Sequence, residues 1–444
     1  MYVFPEGFYI DVRIEETFDT KITYKKLELQ EQKIRNNKGA FIRLFDGKKW
    51  YYSAVSNIDT IQSEIDALAE MAEPNDLILE HPIVGQFEVN RENRISYAEM
   101  PIGEVPIQRK RMFLESLLEK IKDDVIVNHS SFYVENRTIK QIFSSKGTNV
   151  NFDKQTCGVR ISLELAYGDE SDRASISKGA DCFDTLETFE RYFSEEISKS
   201  VEFIKTAETI EPGDYMVLMS PMATGVFTHE SFGHKSESDF MIGDEAMKAE
   251  WTLGKQVASS IVTIVDDGQV KGNGFVPYDD EGTEGKKTMI ITDGILTGRL
   301  HSTQTAALLE EELTGNARAL NFEYEPIVRM TTTYIERGNR PLKDIISEMD
   351  RGIYVDTIKH GSGLSTFTMA PARSYLIENG KITKPLKISV ITGDVFGTLQ
   401  EVDAISKEFE LLEFVGGGCG KMEQWPLPVG FGGPYTRVRK LKVH

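Results

Sequence analysis

The chain has 444 residues, 40% of them hydrophobic and 27% charged. This is a globular composition, far from disordered, collagen-like or membrane-spanning chains, and long enough for about three domains at roughly 150 residues each. Its 51 Lys and Arg against 70 Asp and Glu leave a formal charge of −19, which repels a phosphate backbone and argues against nucleic acid as a direct ligand. Three scattered cysteines, Cys157, Cys182 and Cys419, are too few for a disulfide framework and fit a reducing compartment. The opening MYVFPEGFYIDVRIEE lacks a basic region followed by an apolar stretch of signal-peptide length, and no apolar run of membrane-spanning length occurs. The expectation is a cytoplasmic protein without membrane spans.

From Tyr9 to Ser53 apolar and polar residues alternate, with Asn37-Lys38-Gly39 and Asp46-Gly47 as turn signals, which predicts an antiparallel meander. Ile61, Ile65, Leu68 and Met71 recur at helical spacing, so a helix closes a first α+β unit, residues 1–75. A second α+β unit, residues 103–212, reads as a helix over Gln108–Lys122, paired strands, and a helix over Asp184–Thr206 whose acidic residues are expected to face solvent. From Gly213 short strands bounded by Gly, Asp and Asn predict a β-rich C-terminal domain, residues 213–444, built as a large antiparallel sheet or barrel around one important helix. Two echoes within it, ITDGILTG and LIENGKIT, read as similar hairpins rather than as a repeat.

The seven histidines include one close pair, in Thr228-His229-Glu230-Ser231-Phe232-Gly233-His234. Chance yields roughly 0.02 such His-Glu-x-x-x-His matches per chain of this composition. Two neutral imidazoles suit zinc, and a carboxylate beside the first can take a proton from an attacking water. The spacing is one residue longer than in a His-Glu-x-x-His helix. Residues five apart diverge by about 140° on an α-helix, so a widened turn or kink, eased by Gly233, is predicted between Glu230 and His234.

Catalytic zinc takes three protein ligands. The best third donor is Cys419 within Gly416-Gly417-Gly418-Cys419-Gly420, where glycines let the backbone bend and bring a thiolate close to an ion; a flexible turn holding an inert cysteine is the other reading. His301 and His360 stand in reserve. Cys157 and Cys182 read as small hydrophobes. The carboxylates of Asp266-Asp267-Gly268 and Asp279-Asp280-Glu281-Gly282 fit turn chemistry best, with the orienting of ligand imidazoles or the shaping of a substrate channel as the alternatives.

The text resembles the TldD/PmbA family, metal-dependent peptidases once described as modulators of DNA gyrase, over nearly its whole length. The likeness is strongest at HESFGHKSESD, VDDG, DDEGT, DGILTG, TGNAR, MTTTY, YLIENGKITKP, CGK and PVGFGGP. It implies one zinc ion per chain on His229, His234 and Cys419, with Glu230 as general base, in an α+β protein with a largely β catalytic domain. It also implies a dimer, either of two copies or with a PmbA-like subunit, that cuts unfolded or short peptides in leader-peptide processing or in the degradation of small unstable proteins. A metal-free, non-catalytic PmbA-like binding subunit and a metal-dependent hydrolase of non-peptide amides are the rival readings. Where the family continues close to Gly-Gln-Ser-Val-Pro-Val-Gly, this chain reads Glu423-Gln424-Trp425-Pro426-Leu427-Pro428-Val429-Gly430, adding bulk beside the expected substrate channel.

Overall fold

The computed structural model describes residues 2–363 and 365–444. The N-terminal meander forms as Tyr9–Lys25, Glu28–Phe45 and Trp50–Val55. One turn lies elsewhere than the sequence suggests. Asn37-Lys38-Gly39 runs straight through the second strand, and the chain reverses at Lys26, with φ 53°. Gly39 is needed for space, because a Cβ there would stand 2.3 Å from the ring of Phe322. Asp46-Gly47 does turn the chain, with Gly47 at φ 94°.

Strand Tyr9–Lys25 pairs in long antiparallel register with Ile126–Ser144, which pairs with Asn149–Tyr167. Residues of the two expected units 1–75 and 103–212 therefore share one seven-stranded sheet, because their strands hydrogen-bond to each other rather than closing separately. Its edge strand Glu170–Ala180 pairs only with Asn149–Tyr167 among the described residues. Helix Ile61–Met71 buries Ile61, Ile65 and Leu68 and leaves Met71 62% exposed. Helices Ile107–Leu118 and Glu190–Thr206 pack Leu114, Leu117, Phe193 and Ile197 into a core with Tyr24, Tyr133 and Val159. The acidic residues of the latter helix are not all solvated: Glu196 is buried against Arg373 of the C-terminal half.

The C-terminal half is a twelve-stranded, mostly antiparallel sheet. Five of its strands close a ring: Gly430–Val443 pairs with Gly213–Met219, which pairs with Arg351–Gly363, then Thr366–Glu378, then Ile391–Asp394, which returns to Gly430–Val443. The predicted barrel-like α+β architecture is what the chain adopts. The two echo hairpins turn alike, with Asp293-Gly294 and Asn379-Gly380 both at positive φ, the two-residue geometry that Asp-Gly and Asn-Gly favour.

The halves are joined by buried ion pairs. Arg43 bridges Asp11 and Glu281 at 2.7 and 2.9 Å, and Lys140 reaches Asp280 at 2.6 Å and Glu15 at 3.3 Å. The acidic run at 279–281 is thus an interdomain fastener. Asp279 meanwhile accepts from the amides of Glu281, Thr283 and Ala317. None of the three carboxylates is hydrogen-bonded to His229 or His234.

Candidate metal centre and active site

Strand Gly213–Met219 leads into a helix at Pro221–Thr228. Proline opens that helix and Ser220 caps it, its hydroxyl accepting from the amide of Ala223 and donating to the carbonyl of Asp356, the pairing expected of a first turn. Gly225 lets the helix lie directly on the central strand, since a Cβ would stand 2.4 Å from the amide nitrogen of Gly432.

The helix then widens. His229–Gly233 is a π turn in which the amide of His234 donates to the carbonyl of His229. A hydrogen bond spanning five residues brings residues five apart onto one side, and the two imidazoles stand with ring centroids 5.3 Å apart. This is the predicted widened turn, with one correction. Gly233 keeps ordinary helical angles, φ −54° and ψ −57°, so its conformational freedom is not what the turn uses; a Cβ would stand 1.8 Å from Met330 Sδ.

Cys419 comes from the other end of the domain, at the start of a small hairpin, Cys419–Lys421 paired with Gln424–Leu427. Gly416, at φ 65°, lets the incoming loop pass under the ring of Phe132, and Gly418 lies against the carbonyl of Leu427. The ligand-capable atoms of His229, His234 and Cys419 all lie within 4.8 Å of one another, with Cys419 Sγ 3.3 Å from His234 Nε2. Burial alone would push the thiol up, but hydrogen bonds with His229 and His234 outweigh it and hold Cys419 at about 5. The sulfur is therefore a thiolate at neutral pH, the form that binds metal. Burial would likewise lower His234, yet its bonds to Cys419 and Glu237 raise it to about 10.

Behind these donors stands a set of charges that sequence reasoning did not single out. Glu237, fully buried, sits 3.3 Å from His234 Nδ1 and 3.1 Å from Lys421 Nζ. Lys421 also holds Asp239 and donates to the carbonyl of Val328, and Arg329 donates to the carbonyls of Cys419 and Gln424. The turn carrying the histidines is thus tied to the hairpin carrying the cysteine. Burial would raise Glu237, but His234, Lys421 and Arg329 keep it below the usual carboxylate range. Glu237 is only three residues past His234, but Lys421 meets it across 184 positions, a distance over which a single sequence carries no signal.

The other candidates fall outside the donor set. Asp266 accepts from Thr331, Thr333 and Asn316, strapping neighbouring strands instead of a ligand imidazole. His301 is held by Glu311 and Thr305 beside a separate cavity of 1080 Å³ that none of His229, Glu230, His234 and Cys419 lines. His360 is exposed and shares a cleft with Glu230. None of the three cysteines is in a disulfide; Cys157 is buried and Cys182 begins a short helix.

Glu230 lines that cleft, a cavity of 620 Å³ walled by Ser175, Ser177 and Gly179 of the first sheet's edge strand and by Glu410–Phe414 of the second. Phe414 joins the cleft to the centre, its ring 5.7 Å from that of His229 and stacked at 4.1 Å on Phe431.

The sequence matches the PmbA/TldA metallopeptidase C-terminal domain over residues 212–444, which includes every donor, and PmbA/TldA metallopeptidase domain 1 over residues 10–73. The chain belongs to the TldD/PmbA family. Among TldD/PmbA relatives, a metalloprotease of Methanothermobacter thermautotrophicus is 30% identical over 98% of this chain and 95% of its own length. A zinc metalloprotease TldD homolog of Saccharolobus solfataricus is 30% identical over 72% of this chain and 71% of its own. The TldD/PmbA fold is shared with TldE of Thermococcus kodakarensis, at TM-score 0.78 and 17% identity over 98% of this chain and 96% of that one. It is shared too with a structure from Thermotoga maritima described as a putative modulator of a DNA gyrase, at TM-score 0.76 and 19% identity over 99% and 96%. No described helix is long and apolar enough to cross a membrane.

In this TldD/PmbA chain the residues present fit a zinc ion. Two imidazoles and a thiolate converge, and Nδ1 of His229 is buried without a hydrogen-bond partner among the described residues, a cost that a metal ion bound there would relieve.

Proposed function

We propose that this protein is a zinc-dependent peptidase acting on unfolded or short peptides. The observation that carries the reading is the convergence of His229, His234 and Cys419 within 4.8 Å, with Glu230 next in the chain to His229 and lining an open cleft. One zinc would be held by those three side chains, and when bound it supplies a Lewis acid that polarises a carbonyl and acidifies water.

The chain's own groups then divide the work. Glu230 accepts the proton of the attacking water and returns it to the leaving amine, so no covalent intermediate with the protein is needed. Glu237, accepting from Nδ1–H of His234, fixes the ring's orientation and turns Nε2 toward Cys419, where it would serve as a zinc ligand. The edge strand Glu170–Ala180 offers unpaired backbone groups along one wall of the cleft, which favours a peptide bound in extended form, as an added strand. A segment whose backbone is already paired within a folded protein cannot bind this way. Leader-peptide processing and the removal of small unstable proteins both supply such chains. The reading includes an assembly, a homodimer or a heterodimer with a PmbA-like subunit, working in the cytoplasm.

Elemental analysis of protein purified without chelator, beside a Glu230→Gln variant and with both assayed on an unfolded peptide, tests the proposal. About one zinc per chain in both proteins, with cleavage by the wild type alone, is the expected result. Protein that neither holds nor regains zinc and cleaves nothing overturns the reading in favour of a binding subunit.

A further inference from the structure

Three cations line the cleft beside Glu230: Arg160, Lys178 and Lys359. Lys178 is paired with Glu410 and Lys359 with Asp172. Arg160 has no carboxylate partner among the described residues, and its Nε is buried without a hydrogen bond. Burial pushes its guanidinium below the ordinary arginine range. A guanidinium presents five donors in a fork shaped for carboxylate, and leaving one partly buried and unpaired is costly unless something else completes it.

Its placement is specific. Arg160 pairs in register with Phe132 across the first sheet, and its guanidinium lies 5.7 Å from the centre of the Phe132 ring. The same ring covers Gly416, and a Cβ on Gly417 would stand 3.9 Å from an Arg160 terminal nitrogen. Arg160 therefore reaches the loop that delivers Cys419, from the opposite domain, while lining the cleft that holds Glu230. The remaining acids of the cleft do not claim it. Glu410 is taken by Lys178, and burial raises Glu413 to about 8, which weakens its claim as an anionic partner near neutral pH.

We propose that Arg160 is a substrate subsite that binds a carboxylate of the peptide next to the cleavage position. The protein would then select peptides carrying a carboxylate there, either the peptide's own C-terminus or an acidic side chain. Such a device is needed in a chain of charge −19, whose general field turns anions away. The inference rests on the peptidase reading for its meaning, but its binding test does not depend on turnover.

The test is calorimetric binding to full-length Glu230→Gln protein, with and without Arg160→Met, which keeps an unbranched side chain over Phe132 without the charge. The probes are a short Ala/Val peptide as free acid, the same peptide as C-terminal amide, and amide forms with Glu or Gln at each position in turn. Arg160-bearing protein is expected to bind one carboxylate form roughly 10- to 100-fold more tightly than its neutral counterpart, the range of a charged hydrogen bond. Arg160→Met should erase that preference and leave binding of the neutral peptide unchanged; Arg160→Lys should restore part of it. Preference for the free acid over its amide identifies the C-terminus as the ligand, and preference for Glu over Gln identifies a side chain. Equal binding of acid and neutral forms to the Arg160 protein, or equal loss of both in Arg160→Met with an unchanged melting temperature, overturns the proposal. An Arg160-dependent preference in a protein whose wild type cleaves none of the peptides keeps the subsite and rejects the peptidase reading instead.

Discussion

Glu237 offers no atom to the donor cluster, yet it touches both halves of it: His234 on one side and, through Lys421, the hairpin of Cys419 on the other. Residues that orient a ligand imidazole commonly control metal affinity by a factor of about 10 to 100. Glu237→Gln is expected to weaken zinc binding by that order while leaving the fold intact, measured by competition with a chromophoric chelator. Unchanged affinity would mean that packing alone orients His234. The residue types of the centre were legible in the sequence because histidine is rare here and a His-Glu-x-x-x-His match is rarer still. Glu237, Lys421 and Arg160 were not, because a charged residue in a chain with 121 of them is ordinarily solvated surface, and only burial shows otherwise.

At the scale of the element, the π turn at His229–Gly233 converts an awkward spacing into a usable one. It is held by what packs around it, Met330 against Gly233 and the backbone of Gly432 against Gly225. Gly233→Ala is expected to cost about 1–3 kcal/mol, the usual penalty of overpacking, read from chemical denaturation. Combining it with Met330→Ala should recover part of that loss, since the double variant removes the clash. A simple sum of the two single losses would show that the glycine does not act through Met330. The need for a distorted turn follows from 100° per residue alone, whereas the partner that requires glycine there lies 97 residues away and is brought in by the sheet. The same distinction applies to Asn37-Lys38-Gly39, where a local turn signal was really a place for Phe322 to lie against the strand.

For the whole molecule, buried ion pairs fasten the N-terminal sheet to the run at 279–281. Asp280 is fully buried between Lys140 and Arg13. Burial would raise it, but these cations hold it well below the usual carboxylate range. Removing one member of such a set strands the others, at about 3–5 kcal/mol, and Asp280→Asn is expected to lose that much at pH 7. A folded-state value below the unfolded one means the contribution is complete above the unfolded pKa and is lost as pH falls. The wild type's advantage should therefore narrow below about pH 4. An advantage constant from pH 7 to pH 3 would show that the ionised carboxylate is not the stabilising form.

The sequence by itself determined the α+β class, the strand-rich C-terminal half, the paired histidines with their acidic neighbour, and the need for a widened turn between them. Each is written in local periodicity or spacing, where one residue constrains another a few positions away. Only the tertiary structure decided that the N-terminal strands form one sheet, that Cys419 meets His234 across 185 residues, that Glu237 and Lys421 are interior groups, and that Arg160 stands unpaired, among the described residues, in the cleft of Glu230. Those outcomes depend on which strands pair and which charges are taken out of water together, and pairing and burial are set by the whole chain at once.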